Sequence, residues 1–515
     1  YLYNRIKGLT MFLRLLFLAV ILVIIVLFSS CLFFLVKILY VRRKYRHLPC
    51  PKKRSFIWGH AIDVAEVAKN GGHFSMLIAK WQKTYGTVFV MHVFDRASVF
   101  CLEPSVVREI LINTKTSKPY EFYHVFKTVF GKRLGGSGLF SELDNERWEQ
   151  KRKMFNPAFK RGYLIDLMYQ YNNSVDELIT YLKPKADGKT EILMAEEFNK
   201  VAMDIIAKVA FGLNDLNVIS NGDAPFCKAA TQTFTGVMAQ IRNPFIRFDP
   251  REASRNTMRK TQDAIDLIRK IGKNCILERL ADMNEGRDYP KDILTHILQA
   301  SSGLKGNFGL EQMIDEFVTF FVAGQETTAQ LMSFTYEIVG RHPDIYKKLQ
   351  EEVDAVIGDN DSITYDNTCK LEYMNLVLKE VLRWAPPAAG VQRRVDRDFV
   401  VNGYKIPAGA RVGLNHYALG RDERFWDNPE KFDPERFREE NNRRLYAYFP
   451  FSLGPRVCIG QHFAMIEAKV IIAKLLQKFD FTLVPGVELE YLAEVTLKPK
   501  HRTPLYLTPR KTSRD

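Results

Sequence analysis

The sequence predicts a mainly α-helical domain with a small β region, preceded by one transmembrane helix. Three observations carry that prediction. From Leu15 to Val36 the chain runs 22 residues without a charge, which at ~1.5 Å per residue is roughly 33 Å of helix, enough to cross a bilayer core of ~30 Å. Beyond residue 50, long segments repeat their apolar residues with helical spacing. Only a few short runs alternate as strands do.

Taken in order, the amino end divides into a short segment at 1–14, the span at 15–36 and a basic, proline-containing hinge at 37–54. Lys37, Arg42, Arg43, Lys44 and Arg46 crowd the exit of the span, against Arg5, Lys7 and Arg14 before it. The positive-inside rule therefore puts 1–14 on the lumenal side and the large domain in the cytosol, as in a single-pass protein of the endoplasmic reticulum membrane. So long an apolar run argues against a removable leader, and Ser29-Ser30-Cys31 within it is a poor cleavage site. In His47-Leu48-Pro49-Cys50-Pro51 each proline fixes its own backbone and disfavours helix before it.

Residues 55–515 contain no linker or repeat and read as one domain. Thr87 to Val93 and Ala97 to Leu102 alternate around Asp95-Arg96 like a hairpin, and Glu103-Pro104 opens a helix. Helical patterns cover Trp148 to Met168, Met194 to Phe211, Ala264 to Met283, Gln312 to Arg341, Pro343 to Ile357, Leu371 to Trp384 and Gln461 to Phe479. Short strands are expected near Phe399 to Val401, Phe481 to Val484 and Leu505 to Leu507.

Composition narrows the chemistry. Hydrophobic residues make up 46% of the chain, with 36 Phe and 22 Tyr, ample for a large core and an apolar ligand cavity. The seven cysteines are scattered singly, without the spacing of a disulfide framework or a zinc site. A net charge of +15 suits anionic headgroups beside the span; no nucleic-acid motif accompanies it.

One cysteine is set apart by its surroundings. Phe451-Ser452-Leu453-Gly454-Pro455-Arg456-Val457-Cys458-Ile459-Gly460 places Cys458 in a glycine-bounded loop just before a long apolar helix. A thiolate there can donate to a haem iron, Gly454 and Gly460 would let backbone approach a flat macrocycle, and Arg456 can meet a propionate with a forked donor. A second signal is Ala323-Gly324-Gln325-Glu326-Thr327-Thr328. Its glycine is expected to weaken the helix and favour a local opening, and Glu326 and Thr327 offer an acid beside an alcohol for proton delivery. Trp148 and Arg152, four apart, share one helix face.

These motifs resemble those of the haem-thiolate monooxygenases, the cytochrome P-450 superfamily. The loop matches Phe-x-x-Gly-x-Arg-x-Cys-x-Gly at every fixed position, and the helix matches its acid-alcohol motif except for Gln325, where many relatives carry His. The resemblance implies the haem-thiolate monooxygenase fold, an α-rich prism with a minor β region. It implies haem b with Cys458 as axial metal ligand, and Trp148, Arg152, Arg393 and Arg456 as further cofactor contacts, with Lys132 or Arg133 as additional ones. Glu326 and Thr327 become the catalytic proton-delivery pair. Glu380, Arg383 and Arg436, from Glu380-Val381-Leu382-Arg383 and Phe432-Asp433-Pro434-Glu435-Arg436-Phe437, become a buried structural network. It further implies electrons from NADPH through a flavoprotein reductase docked on a basic face, and a lipophilic small-molecule substrate.

Within the superfamily the chain most resembles the cholesterol 24-hydroxylases. By that likeness Phe122, Tyr123, Phe126, Ala323, Ala389, Gln392 and Thr496 approach substrate. Ala389 and Gln392 stand where those sterol enzymes have bulky aromatics, which implies a wider or more polar pocket. The expected activity is hydroxylation of a C–H bond, with a fatty-acid hydroxylase, a haem-thiolate isomerase of lipid peroxides and a non-catalytic haem or sterol binder as the alternatives.

Overall fold

The structure is a computed structural model that describes residues 2–510 apart from 114–115, 215, 222–224, 244, 303–308 and 440–441. The first helix is longer than the apolar run within it: it extends unbroken over Leu2–Lys44. Its Met11–Lys44 portion is long and apolar enough to cross a membrane. Towards its end Ile38 and Tyr45 are buried against the domain, and Lys37 pairs with Asp95 at 2.6 Å. The prolines that follow are tied down, because Val90 donates to the Pro49 carbonyl at 2.8 Å and the His60 ring meets that of Pro51 at 2.9 Å.

The expected hairpin is present as Val88–Val93 and Arg96–Cys101, turning at Phe94. It forms one edge of a four-stranded sheet completed by Arg411–Asn415, parallel to Arg96–Cys101, and by Gly390–Arg394, antiparallel to Arg411–Asn415. A second sheet joins Phe479–Leu483, Pro504–Pro509 and Ile192–Leu193. A separate hairpin pairs Tyr491–Ala493 with Leu497–Pro499.

Helices form the bulk of the domain, and their centre is Leu310–Val339, buried along most of its length. The helix Met194–Phe211 packs along it, and Gln461–Lys478 lies against the same core. One expected helix is divided. The pattern from Trp148 to Met168 folds as Asn145–Phe155, a tighter turn at Asn156–Phe159, Arg161–Asp166, and then a new helix from Met168. Pro157 is the cause: it has no N–H to donate and its ring clashes with the preceding turn.

Gly324 also differs from expectation. The central helix passes through it without opening. A Cβ built there would lie 2.9 Å from the Ile206 side chain, so the glycine serves to bring the Met194–Phe211 helix close.

Candidate active site

The loop carrying Cys458 is held by its backbone. Cys458 donates to the Phe451 carbonyl at 2.9 Å, closing the turn that begins at Ser452 and Gly454, both in the left-handed region. A Cβ on Gly454 would stand 1.9 Å from the Leu111 carbonyl oxygen, so only glycine lets this loop press onto the 109–113 turn. Gly454 thus accommodates neighbouring backbone, while a Cβ on Gly460 would lie 3.9 Å from the Cys458 Sγ.

Cys458 has accessible surface although protein surrounds it deeply. Burial pushes its thiol up, opposed by the Gly460 N–H and by Arg152.

Beside the loop, Trp148, Arg152, Arg393 and Arg456 line one cavity of roughly 350 Å³ with Leu111 and Pro455. Arg456 lies 4.3 Å over the Trp148 ring and donates to the Glu142 carbonyl and Asn145 Oδ1. Arg152 donates to the Val457 carbonyl at 2.6 Å and to Asn156 Oδ1 at 2.9 Å, which ties its helix to the residue before Cys458. Arg393 is 3% exposed and bonds to the Gln392 carbonyl at 2.9 Å.

A further cation, with no signal in the sequence, converges here. Lys118 runs between the Tyr123 and Phe140 rings, 4.5 and 4.4 Å away, and donates to the Phe140 carbonyl. Burial, then Arg393 and Arg456, hold its pKa well below the usual lysine range. Burial and Arg393 likewise lower Arg456 to about 10. Among the described residues, Lys118, Arg393 and Arg456 make no ion pair. Glu149 also lines this cavity and pairs with Lys153 at 3.1 Å. Lys118, Arg393 and Arg456, beside an accessible thiol and an indole, fit a flat dianionic macrocycle bound through sulfur.

Two expected contributors fall elsewhere. Lys132 pairs with Asp266 at 2.6 Å, and Arg133 pairs through two nitrogens with Asp315 at 2.9 and 2.6 Å. Asp315 has no exposed side-chain surface, and a carboxylate so buried needs the cations around it.

A second cavity, of roughly 420 Å³, brings together all seven residues expected at substrate: Phe122, Tyr123, Phe126, Ala323, Ala389, Gln392 and Thr496. Glu326 and Thr327 line it too. Thr327 Oγ1 donates to the Ala323 carbonyl at 2.8 Å, leaving the hydroxyl able to accept. Glu326 is 4% exposed; its Oε1 accepts from Lys498 at 2.9 Å and its Oε2 has no hydrogen-bond partner. Burial raises the Glu326 pKa against the opposing pull of Lys498. Gln325 is buried, with its amide 3.4 Å from Asn199.

Away from both cavities, Glu380 accepts from Arg383 at 2.7 and 2.8 Å and from Arg436 at 3.0 Å, all three with 5% or less of their side chains exposed. The structure thus joins the three residues expected to form a buried network.

An α-rich fold with a cysteine loop under a cation-lined cavity, and an acid-alcohol helix over an apolar one, defines a haem-thiolate enzyme. The sequence model of the cytochrome P450 family matches residues 49–504, and the chain belongs to that family. Cytochrome P450 3A11 of Mus musculus is 28% identical over 450 residues, covering 83% of this chain and 86% of that protein. Cytochrome P450 3A2 of Rattus norvegicus is 29% identical over 491 residues, covering 91% and 92%. The plant protein Cytochrome P450 734A1 of Arabidopsis thaliana is 29% identical over 437 residues, covering 82% and 81%. The chain is an oxidoreductase, a haem-thiolate monooxygenase that uses NADPH-derived electrons and dioxygen. None of these three relatives is a cholesterol 24-hydroxylase, so the family is established at a coarser level than the sterol likeness drawn from the sequence.

Proposed function

We propose that this chain hydroxylates a C–H bond of a lipophilic substrate, with a sterol as the substrate class, while anchored in the endoplasmic reticulum membrane. In this reading residues 1–14 are lumenal, 15–36 span the membrane, 37–54 link, and 55–515 form one catalytic domain facing the cytosol. Electrons reach it from NADPH through a flavoprotein reductase.

Cys458 would bind the haem iron through its thiolate, and Trp148, Arg152, Arg393 and Arg456, joined by Lys118, would hold the propionates. Haem bound through a cysteine thiolate supplies the electron-rich iron that activates dioxygen. Thr327 orders a water with its free lone pairs. Glu326, whose burial favours the protonated carboxyl, passes a proton along that water. Glu380, Arg383 and Arg436 have a structural role.

The observation that carries the reading is the second cavity: it is lined mainly by apolar and aromatic side chains, and Glu326 and Thr327 open onto the same space. Reconstitution with reductase and NADPH, with sterols and fatty acids screened by mass spectrometry, tests it. A hydroxylated sterol is expected. Oxidation confined to fatty acids overturns the substrate class, and ligand binding without substrate-dependent NADPH consumption overturns the roles given to Glu326 and Thr327.

A further inference from the structure

The signs of charge around the substrate cavity carry information about its ligand. Among the described residues, no lysine or arginine lines it, while Glu326 and Glu494 both do. The cation nearest those carboxylates, Lys498, is engaged by both, at 2.9 Å from Glu326 and 2.6 Å from Glu494. A ligand carboxylate would enter this space without a partner and next to two acidic side chains, a costly arrangement.

Neutral polar atoms are present as well. His73 lines the cavity at 2% exposure, and its Nε2 has no hydrogen-bond partner. Its ring stands edge-on to Tyr417 and Tyr491, with centroids 4.5 and 5.2 Å away, which fixes its orientation. Burial, then the nearby Arg421, lower its pKa to about 3, so the imidazole is uncharged at neutral pH. Gln392 Oε1, on a strand that lines the same cavity, is also buried and unpartnered.

We propose that the substrate is a neutral lipid bearing a hydroxyl group, that His73 receives this hydroxyl as a positioning residue, and that free carboxylic acids are disfavoured. The inference rests on the reading of this cavity as the substrate site and narrows it. A neutral imidazole can donate to or accept from a hydroxyl, and tyrosine rings on two sides leave it little freedom to turn elsewhere.

Equilibrium binding to the full-length haem protein, followed by the ligand-induced spectral shift, tests the proposal with three matched pairs. These are a 3-hydroxysterol and its 3-deoxy analogue, a long-chain fatty alcohol and its alkane, and the same alcohol and the corresponding fatty acid. Each hydroxyl compound is expected to bind about tenfold or more tightly than its partner. The variant His73→Phe should remove that preference and raise KM more than it lowers kcat, with a broader spread of oxidised positions in the product. His73→Gln, which keeps a hydrogen-bonding group, should restore part of it.

Equal binding within the sterol pair and the alcohol–alkane pair, or an acid bound as tightly as its alcohol, overturns the proposal. The wild-type comparison decides even where a variant fails to fold. A preference for hydroxyl compounds without oxygenation of any sterol would remove the sterol reading and leave the hydroxyl receptor. Sterol turnover with no such preference would do the reverse.

Discussion

Replacing Glu380 with glutamine is a severe test of how this fold is held together. The carboxylate accepts from both faces: Arg383 through two nitrogens, Arg436 Nε at 3.0 Å and the Asp433 backbone N–H at 2.9 Å. Glu380→Gln keeps the volume and one acceptor but leaves two buried guanidinium groups facing a neutral amide. Breaking a buried pair on one side costs about 3–5 kcal/mol. Unfolding entropy of about 2.1 cal/mol/K per residue, over about 460 residues, gives about 1 kcal/mol/K, so the expected fall in Tm is about 3–5 °C. The drop should come with a lower haem content, read from absorbance and from the carbon monoxide difference spectrum. Lys347→Ala, at an exposed pair 3.8 Å from Glu351, is the control and should shift Tm by less than about 1 °C. A Glu380→Gln protein with wild-type haem content and an unchanged Tm would refute the reasoning. The complete apolar replacement, Glu380→Leu with Arg383→Met and Arg436→Leu, should be closer to neutral in stability than the single change, because it strands no charge.

Gly454→Ala should lower haem incorporation sharply, since its Cβ meets the Leu111 carbonyl and its φ is +69°; the carbon monoxide difference spectrum reads the outcome. Arg393→Met and Lys118→Met should each speed haem loss to an excess of a haem-scavenging globin by about 10- to 100-fold, the worth of a charge-assisted hydrogen bond, and an unchanged rate removes that residue from the propionate site. Glu316 offers a pH test. It is fully buried with Lys151 at 3.1 Å, Asp315 beside it and Glu142 across from that lysine, and burial pushes its pKa up to about 7. A raised carboxyl pKa stabilises the fold fully below the unfolded value, and the benefit is lost as pH rises between about 4.5 and about 7. Up to about 3 kcal/mol of stability should disappear across that window in the wild type and be absent from the pH slope of Glu316→Gln, as followed by urea unfolding at several pH values.

What the sequence made legible follows from how local each signal is. The Cys458 loop, the acid-alcohol helix and the Glu380 helix are each defined within ten residues, and their spacing carries their chemistry. Helix patterns were legible along the long central segments but not at Met168–Leu182, Pro225–Arg242 or Ile293–Ser302, amphipathic helices that went unread, and the pattern from Trp148 to Met168 failed where Pro157 interrupts it. Gly324 was recognisable as unusual but not for its reason, because the Ile206 side chain it admits lies on another helix. Lys118, His73 and Lys498 left no trace. Each is a lone residue in an ordinary stretch, and each acquires meaning only from partners far along the chain: Arg393 and Arg456 for the first, Tyr417 and Tyr491 for the second, Glu326 for the third.

The two cavities have opposite electrostatic demands, and the wall between them explains how both are met. On one side Lys118, Arg393 and Arg456 converge with no ion-pair partner among the described residues; on the other, Glu326 and Glu494 share Lys498. Tyr123 belongs to both sides: it lines the substrate cavity, while its ring packs under Lys118 and its hydroxyl interacts with Arg393. With those three cations unpaired and Glu149 engaged by Lys153, the cationic side would attract any carboxylate that reached the interior. In the proposed site two propionates would neutralise most of that charge at a fixed position, which would leave the field in the substrate cavity to its own acidic pair. On the proposed reading, the same cations that would hold a dianionic cofactor would give no support to an anionic substrate once that cofactor is bound, and the cavity beyond Tyr123 would favour ligands that carry no charge.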